Sequence, residues 1–436
     1  MPNDLRCALP SLLVPMVITS FSLVFVATVA LTLGLRLTLA RRQIRHVLAH
    51  RQAVPVEFSA RVALAAHQKA ADYTAARSRF GMGATLMETL VLLAFTLGGG
   101  IETLHQAWSG WLGPDQPLLY GLALIGSVAV ISAVIDLPLA YYRQFVLEQR
   151  FGFNRMTPPL FFADLGKSLA LGAAIGGPLL LAVLWLMASM GKNWWIHVWL
   201  FWTGFNLLLL FVYPTWIAPL FNKFTPLEAG ELKSRIEALL ARCGFSTSGL
   251  FVMDGSKRSA HGNAYFTGLG KNKRIVFFDT LLSRLTPVEA EAVLAHELGH
   301  FKRHHITKRM ILIFTLSLVF LWALGQLMQA QWFYEGLGVS EQNTALALLL
   351  FFMVAPVFTF VLTPLSSLLS RRHEYEADAY AVAHADGQQL VTALVKLYED
   401  NASTLTPDPM HSLFYDSHPP AALRIAHIAQ LADRVS

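Results

Sequence analysis

The chain has 436 residues, of which 54% are hydrophobic and only 14% charged, and its mean hydropathy is +0.47. Soluble globular proteins carry about 25% charged residues, so much of this surface faces something other than water, and a lipid bilayer is the candidate. Two cysteines far apart, Cys7 and Cys243, exclude a disulfide framework and a cysteine-based metal site. The net charge of +6 belongs with the basic loops of a membrane protein, because the basic residues are spread by loop and form no nucleic-acid patch.

Crossing the hydrocarbon core takes about 20 apolar residues. Seven stretches qualify, at roughly 11–34, 82–100, 118–141, 168–190, 195–217, 310–331 and 342–369. The first is too long for a signal peptide and has no basic leader, so it reads as a retained span. The loop after span one carries Arg41, Arg42, Arg45, Arg51, Arg61, Lys69, Arg77 and Arg79, whereas the next, residues 101–117, has no Lys or Arg. Basic and non-basic loops go on alternating, which predicts an outside N-terminus and a cytoplasmic C-terminus. The expected organisation is five spans over 1–217, a cytosolic segment over 218–309, two spans over 310–369, and a cytosolic C-terminal segment over 370–436.

Within the first cytosolic segment, residues 228–243 show helical periodicity with acids early and bases late. "GLFVM" (249–253) and "RIVFF" (274–278) are strand candidates on either side of the glycine-rich "HGNAYFTGLGKNK". A helix then begins at "LTPVEAEAVLAHELGHFKRHH", with Thr286 as N-cap, Pro287 in the first turn and Glu289 completing a capping box.

That helix carries His296, Glu297 and His300 in the H-E-x-x-H arrangement. Residues four apart share a helix face, so two imidazoles can meet one zinc ion while the glutamate serves as general base. The bland alternative is a chance match at the polar end of a membrane helix. His304 continues the stripe, but three ligands in a helical row cannot surround an ion tetrahedrally. Both His304 and His305 therefore read as solvated or headgroup-facing. A better third ligand lies in "RRHEYEADAYAVAHA" (371–385), where Glu374 and Asp378 share a face and Glu376 points nearly opposite. Asp378 is then placed to hydrogen-bond a ligating imidazole. Alone, that run is an ordinary charged helix face; beside a histidine pair on the same side of the membrane it becomes the expected partner. "FYDSHPPAALRIAHI" (414–428) brings His418 and Arg424, a donor pair suited to an oxyanion, although by themselves they read as surface residues.

"HELGH", "HEYEAD" and "SHPPAALR", in this order on a seven-span frame, resemble the type 1 CAAX prenyl proteases, which are integral-membrane zinc metalloproteases. "HQKAADYTAAR" (67–77), "EQRFGFNRMT" (148–157), "IAPLFNKFTPLEAGEL" (217–232) and "SKRSAHGNAYFTGLG" (256–270) extend the resemblance over nearly the whole chain. It implies an α-helical membrane protein of seven helices around a chamber, with a metalloprotease domain containing a short β-sheet. It also implies one Zn²⁺ held by His296, His300 and Glu374, with Glu297 as base and Asp378 behind a ligand histidine. Asn263, Ala264 and Tyr265 match the edge strand that lines the substrate cleft, and His418 and Arg424 the residues near the developing oxyanion. Glu376 stands where eukaryotic members usually carry Gln. The implied partners are the bilayer and a peptide or protein substrate, prenylated or plain. The closest alternative is the same chemistry in membrane-protein quality control. A transporter built around the intramembrane charges Asp136 and Lys167 is the remote one. Ala/Leu/Arg-rich loops and the ending "ADRVS" favour a bacterial inner membrane over the endoplasmic reticulum, with the site on the cytosolic side.

Overall fold

The structure, a computed structural model, describes residues 18–267 and 274–435. The first half is a frame of long helices: α1 (Ser20–Ala49), α2 (Leu64–Phe95), α3 (Gly100–Leu112), α4 (Pro117–Tyr142), α5 (Pro158–Leu171), α6 (Gly177–Ser189) and α7 (Trp194–Val212). A compact unit follows, with β1 (Phe224–Pro226), α8 (Glu231–Arg242), β2 (Gly249–Met253), β3 (Ala264–Thr267), β4 (Arg274–Phe278), α9 (Asp279–Leu282) and α10 (Pro287–Lys302). The chain returns to the frame through α11 (His305–Leu327), α12 (Gln331–Glu335), α13 (Thr344–Thr359) and the lower part of α14 (Thr363–His384). It closes with α15 (Gly387–Asp400), α16 (Pro409–Tyr415) and α17 (Ala421–Val435).

Six helical segments among the described residues are long and apolar enough to span a membrane, and a bent pair makes a seventh. The bend corrects one expectation: 101–117 is not an open loop, because most of it forms α3. Gly99, at φ +74°, takes a left-handed conformation that costs glycine little, and the helix axis turns by 47° between α2 and α3. α3 then buries Ile101, Glu102 and His105. Several spans also run past the expected ends. α1 continues to Ala49 and α2 begins at Leu64, so most of the basic residues assigned to a loop stand on helical extensions. A hydropathy window stops at the membrane surface, whereas a helix stops only where a breaker or a competing contact ends it. Residues 11–17 of the expected first span lie outside the described residues.

Chain-end chemistry sets several helix starts. Thr157 caps α5 ahead of Pro158, and Asn343 Oδ1 accepts from Leu346 N at 2.9 Å at the head of α13. Inside the frame, Arg36, Glu88, Ser132 and Asp136 line a chamber cavity of about 310 Å³ together with Phe95 and Phe360. Arg36 and Glu88 pair at 3.4 Å. Charged groups at membrane depth are expensive unless paired or wet, so a polar lining within apolar helices marks an aqueous interior. Lys167, the other intramembrane charge, donates to the Leu220 carbonyl at 2.9 Å.

The compact unit is built on a four-stranded sheet of order β1-β2-β4-β3. β2 and β4 run parallel, and among the described residues β3 pairs with β4 alone, antiparallel, leaving its other edge free. Behind the sheet, Ile236 and Leu239 of α8, Phe277 of β4, Leu294 and Leu298 of α10, Leu390 of α15 and Ile428 of α17 form one core. Each such side chain contributes roughly 1.5–3 kcal/mol by leaving water. α10 lies at its centre, with ten of its sixteen residues buried.

Candidate metal centre

The helix bearing the histidine pair starts as its sequence dictates. Thr286 Oγ1 accepts from Glu289 N at 3.4 Å, and Glu289 Oε2 accepts from Thr286 N at 2.8 Å, satisfying two N-terminal donors reciprocally. One face of α10 presses on α14 so closely that a Cβ on Gly299 would lie 2.9 Å from both Cα and O of Ala377. Only glycine permits that approach. It carries Glu374, one turn earlier on α14, up to the histidine pair.

His296, His300 and Glu374 each offer a ligand atom, and these atoms lie within 4.8 Å of one another. The separations are narrower still: Nε2 to Nε2 of the histidines is 3.2 Å. Glu374 Oε2 stands 3.4 Å from His296 Nε2, and Oε1 3.2 Å from His300 Nε2. Ligand bonds of 2.0–2.1 Å in a tetrahedron set neighbouring ligand atoms about 3.3 Å apart, the spacing of the two imidazole nitrogens and of each from one oxygen of the Glu374 carboxylate. Glu374 Oε2 is buried and makes no hydrogen bond, an expensive condition for a carboxylate that the Arg424 charge 3.5 Å away offsets only in part and a coordinated cation relieves. The donor set therefore fits a metal ion with one position open.

His296 is fixed from behind. Its Nδ1 lies 2.8 Å from Asp378 Oδ1, which turns Nε2 toward Glu374. Asp378 is gripped in turn by Arg424, whose Nε and Nη2 donate at 2.8 and 2.7 Å. Arg424 is 4% exposed, and its Nη1 approaches Glu374 Oε2 at 3.5 Å. Burial and Arg424 push the His296 pKa down, but Asp378 and Glu374 outweigh them and raise it to about 9. Burial raises the Glu297 carboxyl above its usual range, while the two histidines beside it pull the other way.

Glu297 opens on a cleft of about 170 Å³ that it shares with Asn263, Ala264, Asn401 and His418. His418 and Asn263 are the exposed members of the group, and His418 Nε2 lies 3.6 Å from Glu374 Oε2. Thus the structure gathers His296, Glu297, His300, Glu374, Asp378, His418, Arg424, Asn263 and Ala264. It turns the Tyr265 side chain away from Ala264, since neighbours alternate along a strand, and Tyr265 lines a separate pocket with Tyr213, Pro214 and Phe251.

Two further expectations change. His304 does not continue the α10 stripe, because the helix ends at Lys302 and His304 adopts φ +57°. His305, expected to be solvated, is 4% exposed and meets His300 Nδ1 at 3.0 Å. Glu376 faces away from Glu374 as predicted, yet it is not idle: Oε2 lies 3.0 Å from His305 Nε2. Residue reading also missed a network built from the quoted motifs. Tyr73 OH donates to both Glu148 oxygens at 2.8 and 2.9 Å. Glu148 faces His261 at 3.7 Å, and His261 Nδ1 lies 3.1 Å from Asn401 Oδ1. His261 directly precedes Gly262 and Asn263, so this network anchors the start of β3 to the membrane frame.

A buried His₂Glu cluster beside a free strand edge, on a multi-pass helical frame, defines a membrane-embedded metallopeptidase. The CAAX prenyl protease N-terminal model, described as five membrane helices, matches residues 43–223, and the peptidase family M48 model matches 226–432. CAAX prenyl protease 1 of Saccharomyces cerevisiae is 40% identical over 334 residues, which is 72% of this chain and 73% of that protein. The CAAX prenyl protease 1 homolog of Mus musculus is 31% identical over 431 residues, 89% of this chain and 90% of the relative. A crystal structure of S. mikatae Ste24p superposes with a TM-score of 0.88 at 32% identity, covering 94% of this chain and 99% of that one. The chain belongs to peptidase family M48, in its CAAX prenyl protease branch, and is a multi-pass integral membrane protein that acts on peptide or protein substrates.

Proposed function

We propose that the chain is a zinc endopeptidase that removes the C-terminal residues of prenylated proteins at the cytosolic face of its membrane. The observation carrying the catalytic reading is the convergence of His296 Nε2, His300 Nε2 and the Glu374 carboxylate to within 3.4 Å beside Glu297. These three side chains hold the metal. Zinc, when bound, supplies a Lewis acid that polarises the scissile carbonyl and acidifies water at neutral pH.

The remaining work belongs to the chain. Substrate lies extended along the free edge of β3, adding a strand through backbone hydrogen bonds next to Asn263 and Ala264. Glu297 takes the proton of the attacking water and passes it to the departing amine. His418, exposed across the cleft, donates to the carbonyl oxygen as charge builds. Arg424 is spent on Asp378 and Glu374, so its part is to hold the ligand set rather than to meet substrate. The cytosolic side is supported by the alternation of basic and non-basic segments.

The CAAX substrate follows from the names of the relatives, and a paired assay tests it. Purified protein in lipid is given a farnesylated CAAX peptide and its unprenylated twin, with and without a zinc chelator. The expected result is chelator-sensitive cleavage that favours the farnesylated peptide. Equal cleavage of both replaces the CAAX reading with a general endopeptidase, and chelator-insensitive cleavage removes the metal reading.

A further inference from the structure

The two histidines of the metal centre are not supported alike. His296 is backed by a carboxylate in direct contact, Asp378 at 2.8 Å. His300 has no carboxylate on its Nδ1; among the described residues its partner there is another imidazole, His305, at 3.0 Å between the two Nδ1 atoms. His305 Nε2 in turn lies 3.0 Å from Glu376 Oε2, and Arg372 Nε donates to the other Glu376 oxygen at 3.2 Å.

Proton placement in this chain has one consistent solution. If His300 offers its Nε2 lone pair to a metal while neutral, its proton sits on Nδ1 and donates. His305 must then accept through Nδ1, which leaves its own proton on Nε2, aimed at the Glu376 carboxylate. Every donor meets an acceptor and no group needs to change charge. The reverse polarity would put a hydrogen on His300 Nε2, toward the metal position, and disable the ligand.

The backbone is shaped to make this contact. α10 ends at Lys302, and one residue in the left-handed region, His304 at φ +57°, turns the chain so that His305, at the head of α11, points back at His300. The His373 ring stacks on His305 with centroids 4.0 Å apart and planes 11° from parallel, restricting its rotation. A histidine that packing merely tolerated would have no reason to be 4% exposed with both ring nitrogens engaged.

We propose that His305 is a positioning residue for the metal: it fixes the tautomer and orientation of His300, with Glu376 as its anchor. The inference rests on the reading of His300 as a ligand. Outer partners of this kind, when removed, cost metal affinity by ~10–100-fold.

The test is zinc affinity of the purified full-length protein, measured by competition with a chelator of known affinity, together with the visible spectrum of the Co²⁺-loaded form. His305→Leu keeps the bulk and removes both nitrogens. It is expected to weaken binding by ~10–100-fold and shift the Co²⁺ bands. His305→Asn restores an acceptor near the Nδ1 position and is expected to recover most of the loss. Glu376→Ala is expected to give a smaller loss of a few fold. Thermal unfolding of the metal-free variants separates positioning from packing, because a packing role would make Leu and Asn differ in stability in step with affinity. Affinity of His305→Leu within twofold of the parent, or no recovery with His305→Asn, would overturn the proposal. His300→Ala is the control for the underlying reading. If it retains zinc, the ligand assignment itself fails; if it loses zinc while His305→Leu does not, only the positioning role fails.

Discussion

The outer helices of the membrane frame and the unit around α10 follow opposite packing rules. In α7 two of nineteen residues are buried; in α10 ten of sixteen are. Outer helices of the frame such as α7 leave most of their surface without a protein neighbour, whereas α13, packed against α1, α4, α6 and α11, buries eight of its sixteen residues. α10 is enclosed by α8, α14, α15 and the sheet, and its smallest residue is as constrained as its ligands. The frame positions and encloses, while the packed unit holds atoms to the tolerance that metal chemistry requires.

Substitutions sharpen or break this contrast. The largest effect is expected for Glu374→Ala, which removes one corner of the ligand set: bound zinc falls to background by metal analysis and peptide cleavage goes with it. Asp136→Asn, at the chamber wall, is expected to leave zinc content and turnover within about twofold, because surface-like sites away from packed networks usually tolerate change. Next is Gly299→Ala, where a methyl group meets the Ala377 backbone. Overpacking of this kind costs ~1–3 kcal/mol, read as a lower unfolding temperature and weaker zinc binding together. Gly126→Ala on α4 has no atom within 4 Å of its new Cβ and is expected to be neutral or to stabilise by up to ~1 kcal/mol. Equal destabilisation by the two glycine substitutions would break the comparison.

A smaller effect is expected where the two regions join. His261→Ala cuts the link from Glu148 to the start of β3. KM should rise several-fold with kcat nearly kept, since the proposed role of the strand edge is to bind substrate and not to do chemistry; a fall in kcat alone would contradict this. A pH titration bears on the same ligand set. His296 is raised to about 9 without metal, so protons compete with zinc below that value. Apparent affinity should climb as pH rises from 6 toward 9, and a flat titration would show that His296 is not a ligand.

Much of this was legible in the residues, and what was hidden has physical reasons. The strands at 249–253 and 274–278 fell where β-branched and aromatic runs put them, and the Thr286–Glu289 capping box marked the head of α10. The convergence of Glu374 on the histidine pair followed from helix phase and from both segments lying on one side. His305 was hidden because phase counting assumes an unbroken helix, and one left-handed residue resets it. Gly299 in "HELGH" gave no signal either, since a close helix crossing is a property of two segments read together. The motif groups Tyr265 with Asn263 and Ala264, whereas strand alternation turns its ring to the face opposite Ala264.

In the proposed site His296, His300 and Glu374 hold a metal while Glu297 moves the proton. Glu297→Gln separates the two functions, because the amide keeps the shape and loses the basicity. Measured on one preparation, zinc content should stay at the parent level while kcat/KM falls by ~10²–10⁴. Zinc-replete protein with near-parental turnover would contradict the account.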